Sequence, residues 1–201
     1  MYCILIAGLP ACGKSTLAAS LADALALPLF SKDEIKERLF DAVGFRSREE
    51  KVRLGVASEE ILYDVAEQMM KRRQAFLLEN NFEDASRPRL ARLLDAYGYP
   101  AFTVALTGER KALYERYVAR CASPERHLGH TVNDRYPPAP GAPLPAPVSY
   151  EDFVSGIERR GMDRFAVNGP RLVLDVTDLQ RLDVASALAR IRSWRDGLPR
   201  A

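Results

Sequence analysis

The sequence predicts an α/β fold, in which a parallel sheet of about five strands is covered by helices on both faces. Short, continuous apolar runs along the chain are typical of strands buried on both sides. Stretches with helical spacing alternate with these runs, which favours parallel pairing. A glycine-rich turn joins the first apolar run directly to the first helical stretch. In such sheets the site lies at the carboxyl ends of the strands, so we expect Gly8, Asp33, Glu79 and Thr107 to converge there.

Each predicted element rests on such a run or stretch. The strands are predicted at residues 2–7, 28–31, 75–78, 101–106 and 172–176. The helices are predicted at residues 14–27, 33–43, 48–74, 86–97, 110–121, 150–160 and 183–194. Ser86 is the predicted N-cap of its helix, and Gly55 is a point at which the longest helix can break or bend. The predicted inner face of that longest helix consists of Val52, Val56, Ile61, Leu62, Val65 and Met69.

Length and composition indicate one ordinary globular domain, residues 1–201, with a small lid. The 29 basic and 27 acidic residues give a net charge of +2, which is too even for a coat that binds nucleic acid or membranes. Cys3, Cys12 and Cys121 lack paired spacing, so we expect reduced thiols in a cytoplasmic protein. No apolar run is long enough to cross a bilayer, and no signal peptide is expected.

The most specific motif is the segment Gly8-Leu9-Pro10-Ala11-Cys12-Gly13-Lys14-Ser15, which fits G-x-x-x-x-G-K-[ST] in full. The glycines permit a backbone path whose N–H groups hold phosphate oxygens, and the following helix adds its positive end. Lys14 is expected at the β- and γ-phosphates and Ser15 at Mg²⁺. The sequence therefore predicts the P-loop NTPase fold and a nucleoside triphosphate site. The candidate binding residues are Gly8, Leu9, Pro10, Ala11, Cys12, Gly13, Lys14, Ser15 and Thr16.

Other nucleotide-binding classes are disfavoured because their motifs are missing. The sequence has no Asn-Lys-x-Asp guanine motif, no LSGGQ-like signature and no Asp-Glu pair at a strand end. GTPases, transport ATPases and motor ATPases are therefore less consistent with the chain than kinases are. ATP is expected rather than GTP because the guanine motif is missing, and not because of an adenine-specific feature.

Four features together resemble small P-loop kinases: the phosphate loop, Ser31-Lys32-Asp33, Glu79-Asn80-Asn81-Phe82, and an arginine-rich helix with a lid. The relatives are zeta toxins, chloramphenicol phosphotransferase, the kinase domain of polynucleotide kinases and other AAA-domain ATP-binding proteins. The resemblance covers most of the chain, although only the phosphate loop is highly specific. It implies transfer of the γ-phosphoryl group of ATP·Mg²⁺ to a hydroxyl of a small acceptor.

The resemblance also implies roles for two acids. Asp33 matches the general base that acts on the acceptor hydroxyl, although an Asp at that position can instead N-cap the next helix. Glu79 matches an acid that supports Mg²⁺ through water, and the alternative is a buried structural carboxylate. Polynucleotide kinases carry an Arg three residues after the base, where this chain has Lys36. A nucleic-acid 5′ end is therefore not the favoured acceptor.

The lid is expected at about residues 109–148, and much of the acceptor pocket at about residues 34–74. The resemblance implies that lid arginines clamp the transferred phosphate, with Arg120 and Arg126 as the candidates, whereas Arg116 is expected to be a surface residue. The roles of His127 and His130 stay open, as does that of the proline-rich segment 137–147. The alternatives to a small-molecule kinase are a regulatory ATPase that acts as a switch, a polynucleotide 5′-hydroxyl kinase, and a non-catalytic nucleotide-binding protein.

Overall fold

The computed structural model of the chain describes residues 1–199. One sheet of parallel strands has the order β2-β3-β1-β4-β5, with β1 at its centre. The strands are β1 (Cys3–Gly8), β2 (Leu29–Ser31), β3 (Phe76–Glu79), β4 (Ala101–Thr107) and β5 (Arg171–Asp175). Every predicted strand is present, with ends that lie within one residue of the predicted ends. The predicted fold class is confirmed.

The helices cover both faces of this sheet. They are α1 (Lys14–Leu25), α2 (Lys32–Val43), α3 (Arg48–Lys71), α4 (Arg87–Ala96), α5 (Arg110–Cys121), α6 (Leu128–Thr131), α7 (Tyr150–Arg160) and α8 (Val184–Asp196). A short 3₁₀ turn, Leu179–Arg181, precedes α8. The bounds of α5 and α7 agree with the sequence prediction, whereas α6 was not predicted. No helix within residues 1–199 is long and apolar enough to span a membrane.

The continuous apolar run of β1 is explained by a core on each side of the sheet. Ile4 and Ile6 face the layer formed by α1, α5, α7 and α8, whereas Cys3 and Leu5 face the layer formed by α3 and α4. All four side chains are fully buried. Because both faces of the strand are covered, no polar residue alternates with the apolar ones.

The predicted inner face of α3 is wrong for three of its six residues. Val52 is 50% exposed and Val56 is 56% exposed, and Ile61 is also exposed. The side chains that α3 buries are Lys51, Ser58, Leu62, Tyr63, Ala66 and Met70. The helix has 24 residues and is therefore about 36 Å long, which exceeds the length of the short strands beside it. Only its second half packs on the sheet, and its first half packs against α2.

Two smaller predictions about helices are also corrected. The α3 helix is continuous from Arg48 to Lys71, so Gly55 does not break it. Ser86 stands before α4, but its side chain does not cap that helix. Its backbone is already helical, and its hydroxyl instead accepts a hydrogen bond from the Glu83 amide at 3.3 Å.

Candidate active site

The phosphate loop connects β1 to α1 and has the backbone that its glycines predict. Gly8 and Gly13 have φ angles of 149° and 83°. A Cβ atom at Gly8 would lie 2.5 Å from the Leu106 carbonyl oxygen, on the neighbouring strand β4. Ala11 also has a positive φ, at 59°, which is rare for a residue with a side chain. The strained loop is therefore held in place by the strand beside it and by the helix that follows.

Lys14 is the first residue of α1 and folds back over the loop. Its side chain is buried, and its ammonium group donates to the Leu9 carbonyl oxygen at 2.8 Å. The same ammonium group lies 3.8 Å from the Cys12 sulfur. Cys12 and Leu9 are completely buried beneath the loop, so they shape it from inside. The positive charge of Lys14 is thus placed where the loop amides and the start of α1 favour an anion.

A cavity of about 320 Å³, here the loop cavity, opens over the phosphate loop. Its lining residues are Ala11, Cys12, Gly13, Lys14, Ser15, Thr16, Asp33, Glu79, Arg116, Arg120 and Leu179. Ser15 and Thr16 are exposed at its wall. Of the other residues assigned to the loop by sequence, Gly8 and Leu9 are buried below it, and Pro10 lines the neighbouring cavities. The structure therefore brings Asp33, Glu79 and Arg120 to the phosphate loop.

Asp33 lies in the first turn of α2, directly after the carboxyl end of β2. Burial disfavours its charged form, but the positive charges of protonated His130, of Lys36 and of Lys14 together lower the pKa of Asp33. The side chain of Ser31, which precedes α2, does not cap this helix, and Asp33 lies inside the helix rather than at its N-cap position. The capping role considered for Asp33 is therefore not the one that the structure gives it.

Glu79 ends β3 and is buried, with 3% of its surface exposed. Its carboxylate accepts a hydrogen bond from the Ser31 hydroxyl at 2.5 Å. Burial raises the pKa of Glu79, although the charge of Lys14 and the bond from Ser31 act in the opposite direction. Glu79 also lines the loop cavity. It is therefore both a buried structural acid and a source of carboxylate oxygens beside the phosphate loop.

Two arginines of the lid region, Arg120 of α5 and Arg126 of the loop after it, lie near the phosphate loop. Arg120 is exposed and lines the loop cavity, and Arg126 lies beside it at a second, small cavity. One guanidinium nitrogen of Arg126, Nη1, is buried without a hydrogen-bond partner among the described residues. A buried charge of this kind is costly unless an anion pairs with it. The position of Arg126 therefore fits the clamping role that the resemblance implies.

Arg116 is not the surface residue that we expected. Its guanidinium donates to the Val176 carbonyl oxygen at 2.6 Å, and its Nη1 atom is buried without a partner in the described part of the chain. Arg116 lines the loop cavity together with Leu179, which the sequence analysis did not single out. The sequence held a signal for this position: Arg116 and Arg120 are four residues apart, which places both side chains on one face of α5.

The lid segment docks on α2 through both histidines. His127 Nε2 lies 3.0 Å from an oxygen of Asp41, and His130 Nε2 lies 2.8 Å from an oxygen of Glu37. Between them Gly129 lies so close to the Phe40 ring that a Cβ atom would collide with it. The histidines therefore hold the lid on α2, and each of them contacts an acid of that helix. Within residues 1–199, no group of three His, Cys, Asp or Glu residues is placed to hold a metal.

A cavity of about 580 Å³, here the basic cavity, lies between α2, α3, the lid and α7. The predicted acceptor region contributes Lys36, Arg48 and Lys51 to its wall. The opposite wall comes from α7, with Arg159 and Arg160, and from the end of the proline-rich segment. Sequence reasoning missed this second wall because α7 follows the lid in the chain and has no motif of its own.

The small cavity at Arg126, here the junction cavity, joins the other two. It shares Ala11, Lys14, Asp33 and Arg120 with the loop cavity. It shares Pro10, Tyr117 and Cys121 with the basic cavity. Asn81, which follows β3, also lines it. Asp33 and Arg126 therefore stand at the passage between a phosphate-binding loop and a second binding space.

A further cavity, of about 700 Å³, lies at the opposite end of the sheet. It is lined by residues at the amino ends of the strands, such as Met1, Pro100 and Pro170, together with Trp194. None of the candidate site residues lines it. Because ligands of parallel α/β sheets bind at the carboxyl ends of the strands, we place the active site at the phosphate loop despite the larger volume elsewhere.

Comparison with known families agrees with this geometry, because residues 3–135 match the family described as AAA domain. The chain belongs to this AAA-domain family. No curated protein sequence matches it significantly. A solved structure from Chloroflexus aurantiacus J-10-fl, described as that of a candidate kinase, is 30% identical with a TM-score of 0.77. The alignment covers 96% of this chain and 97% of that one.

More distant solved structures share the fold. A gluconokinase from Sinorhizobium meliloti 1021 is 16% identical with a TM-score of 0.54, and the alignment covers 98% of both chains. Shikimate kinase from Bacteroides thetaiotaomicron is 16% identical with a TM-score of 0.53, and the alignment covers 97% of this chain and 98% of that one. The AAA-domain chain thus shares its fold with small P-loop kinases.

Proposed function

We propose that this AAA-domain kinase transfers the γ-phosphoryl group of ATP·Mg²⁺ to a hydroxyl of a small-molecule acceptor. The observation that carries the proposal is the position of Asp33 at the passage between the loop cavity and the basic cavity. A kinase needs a carboxylate between the donor phosphate and the acceptor hydroxyl. The lid, residues 109–148, would close over this passage as part of the single domain of residues 1–201.

The donor is held by the phosphate loop. The loop amides and the start of α1 bind phosphate oxygens, and the Lys14 ammonium exchanges the Leu9 carbonyl for the β- and γ-phosphates. Arg120 and Arg126 neutralise the charge of the group in transfer, since each reaches the cavity that Lys14 lines. Leu179 and Arg116 lie beyond the loop in the same cavity, where the nucleoside part of ATP would extend.

The residues present also fit Mg²⁺, which prefers oxygen ligands and keeps several waters. The exposed Ser15 hydroxyl would bind it directly, and the Glu79 carboxylate in the same cavity would hold it through water. When bound, Mg²⁺ supplies charge neutralisation on the phosphates. The low number of protein oxygens is expected for this ion, whose other partners are water and substrate phosphates.

Asp33 acts mainly by orienting the acceptor. Its lowered pKa makes it a weak base near neutral pH. A loose transition state of phosphoryl transfer asks for little deprotonation of the attacking hydroxyl in advance. The carboxylate therefore accepts a hydrogen bond from the hydroxyl, aims its oxygen at the γ-phosphorus and takes the proton late.

The Asp33→Asn variant tests this function. We expect ATP to bind as in the wild type, while transfer to an acceptor falls by about 10²–10⁴-fold, the usual contribution of a general base. Radiolabelled phosphate transfer from ATP over a panel of hydroxylated metabolites measures it. The Asp23→Asn variant, which changes an exposed acid on α1, is the matched control. Unchanged transfer in Asp33→Asn would show that the mechanism is wrong. Steady ADP release that no acceptor accelerates would favour a regulatory ATPase.

A further inference from the structure

The side chains that line the basic cavity carry more positive than negative charge. Lys36, Arg48, Lys51 and Arg159 line it, and none of them takes part in an ion pair within residues 1–199. Arg160 also lines it and pairs with Glu83 at 3.3 Å. The net charge of the whole chain is only +2, so this concentration of charge is local.

One acid lines the same cavity, but it is engaged elsewhere. Asp152 lies in the first turn of α7, and its carboxylate accepts a hydrogen bond from the Ser149 hydroxyl at 3.0 Å. Burial and the charges of Lys36, Arg48 and Arg126 lower the pKa of Lys51 to about 7. The surroundings thus disfavour further positive charge, and a bound anion would relieve this repulsion.

Of the four cations that form no ion pair, one is fixed by hydrogen bonds to the lid, and the other three are the candidates for binding an anion in the basic cavity. The Lys51 ammonium donates to the Val132 carbonyl at 2.5 Å and to Asn133 Oδ1 at 3.1 Å, so it fixes the lid. The same Asn133 oxygen accepts from Arg48 Nη1 at 2.8 Å, which orients that guanidinium. Arg159 is an exposed residue of α7 and lines the cavity from that helix.

Lys36 links the positive charge of the basic cavity to Asp33, the proposed base, because it lines that cavity and lies on the same helix. It lies three residues after Asp33, so the two side chains share a face of α2, with about 5–6 Å between their Cβ atoms. Burial lowers the pKa of Lys36, and the charge of Asp33 acts against this shift. An acceptor whose hydroxyl meets Asp33 would therefore place a group a few carbon atoms away beside Lys36.

We propose that the acceptor carries a phosphate group in addition to its hydroxyl, and that Lys36, Arg48 and Arg159 bind this phosphate in the basic cavity. This inference rests on the proposed function, because it defines the acceptor of that reaction. A dianionic phosphate matches the uncompensated charge better than a carboxylate, and guanidinium groups bind phosphate through two parallel hydrogen bonds. A volume of about 580 Å³ suits a sugar phosphate or a mononucleotide.

Transfer to this acceptor forms one bond to phosphorus and breaks one. The acceptor hydroxyl oxygen forms a bond to the γ-phosphorus, and the bond between that phosphorus and the β–γ bridging oxygen breaks. The hydroxyl proton passes through Asp33 to solvent. The products are ADP and an acceptor with two phosphate groups, of which the first stays on Lys36, Arg48 and Arg159 throughout.

Matched pairs of acceptors test the proposal in the full-length protein. ADP release from ATP·Mg²⁺ is measured with glucose 6-phosphate against glucose, ribose 5-phosphate against ribose, and AMP against adenosine, with gluconate as a carboxylate arm. We expect kcat/KM for at least one phosphorylated member to exceed that of its neutral twin by at least about tenfold, equal to about 1.4 kcal/mol. Equal or better use of the neutral twins, of gluconate or of an oligonucleotide 5′ end would overturn the proposal and leave the kinase function intact.

The double variant Arg48→Gln, Arg159→Gln locates the phosphate. Both side chains are exposed, so the fold should survive. We expect the KM for the phosphorylated acceptor to rise at least about tenfold, a change of about 1.4 kcal/mol, with the KM for ATP unchanged. The Arg53→Gln variant removes an exposed charge from the same helix outside the basic cavity and is the matched control. An equal rise in Arg53→Gln would overturn the assignment.

A binding measurement separates failure of the acceptor assignment from failure of the kinase function. Calorimetry follows inorganic phosphate at millimolar concentration, with the loop saturated by a non-hydrolysable ATP analogue and Mg²⁺. Phosphate binding that the double variant loses supports the assignment even if no compound is phosphorylated, in which case the proposed function alone fails. Absence of phosphate binding to the wild type overturns the assignment.

Discussion

At the scale of single residues, the acid at the end of β3, which we propose holds Mg²⁺ through water, is buried at a cost in stability. Glu79 is buried next to Lys14, whose charge does not compensate for the lost water around the carboxylate. A buried acid with a raised pKa in the folded state binds its proton more tightly there than in the unfolded chain. The free energy of unfolding therefore decreases as the pH rises from the usual carboxyl range through the raised pKa.

The Glu79→Gln variant tests this trade-off. We expect a higher free energy of unfolding than the wild type at pH 7, a difference that shrinks toward pH 4, and a decrease of at least about tenfold in the Mg²⁺-dependent kcat. Urea unfolding across this pH range and steady-state kinetics measure the two effects. The control is Glu115→Gln, an exposed acid on α5. A pH-independent difference in stability would show that Glu79 titrates normally.

At the scale of elements, the contact between the lid and α2 contains the buried imidazole of His130. Burial lowers the pKa of His130, although Glu37 and Asp33 act in the opposite direction and Arg126 adds to the decrease. The docked lid thus prefers the neutral imidazole. Docking is fully stable above the ordinary histidine pKa of about 6.5 and weakens as the pH falls below it.

Hydrogen exchange of the lid checks this dependence. We expect the amides of residues 127–132 to lose protection, after correction for intrinsic rates, as the pH falls from 7 to 5.5. The His130→Gln variant should remove most of the pH dependence, whereas Arg135→Ala, an exposed lid change, should keep it. Equal protection at both pH values in the wild type would contradict the prediction.

At the scale of the whole molecule, the sheet supports one cooperative unit. The layers on its two faces are joined through β1, whose side chains enter both cores. The phosphate loop is the direct continuation of this central strand. A ligand bound at the loop should therefore stabilise the entire domain rather than a local segment.

Thermal unfolding tests this coupling. We expect one transition, shifted upward by roughly 5–10 °C when a non-hydrolysable ATP analogue with Mg²⁺ is present at about 100 times its Kd. The Lys14→Ala variant should lose most of the shift, and Lys111→Ala, which changes an exposed lysine on α5, should retain it. Two separate transitions would contradict the single-domain prediction, and a full shift in Lys14→Ala would contradict the proposed phosphate contact.

The sequence by itself determined the sheet and the phosphate loop. The strands were predicted because continuous apolar runs reflect burial on both faces, which is a local property of the chain. The loop was predicted because Gly8, Gly13 and Lys14 have fixed spacing and direct chemical reasons. Asp33 and Glu79 were found because residues at the carboxyl ends of parallel strands meet at one edge of the sheet.

Only the tertiary structure decided which side chains beyond the motif face the site. Val52 and Val56 of α3 are exposed because the helix extends past the sheet, which no periodicity in the sequence reports. Arg116 is held by the Val176 carbonyl, 60 residues further along the chain. The basic cavity unites Lys36 with Arg159 across the docked lid. Such contacts depend on long-range packing, so the sequence predicted the phosphate loop and one wall of the proposed acceptor pocket, whereas only the structure revealed the wall formed by α7.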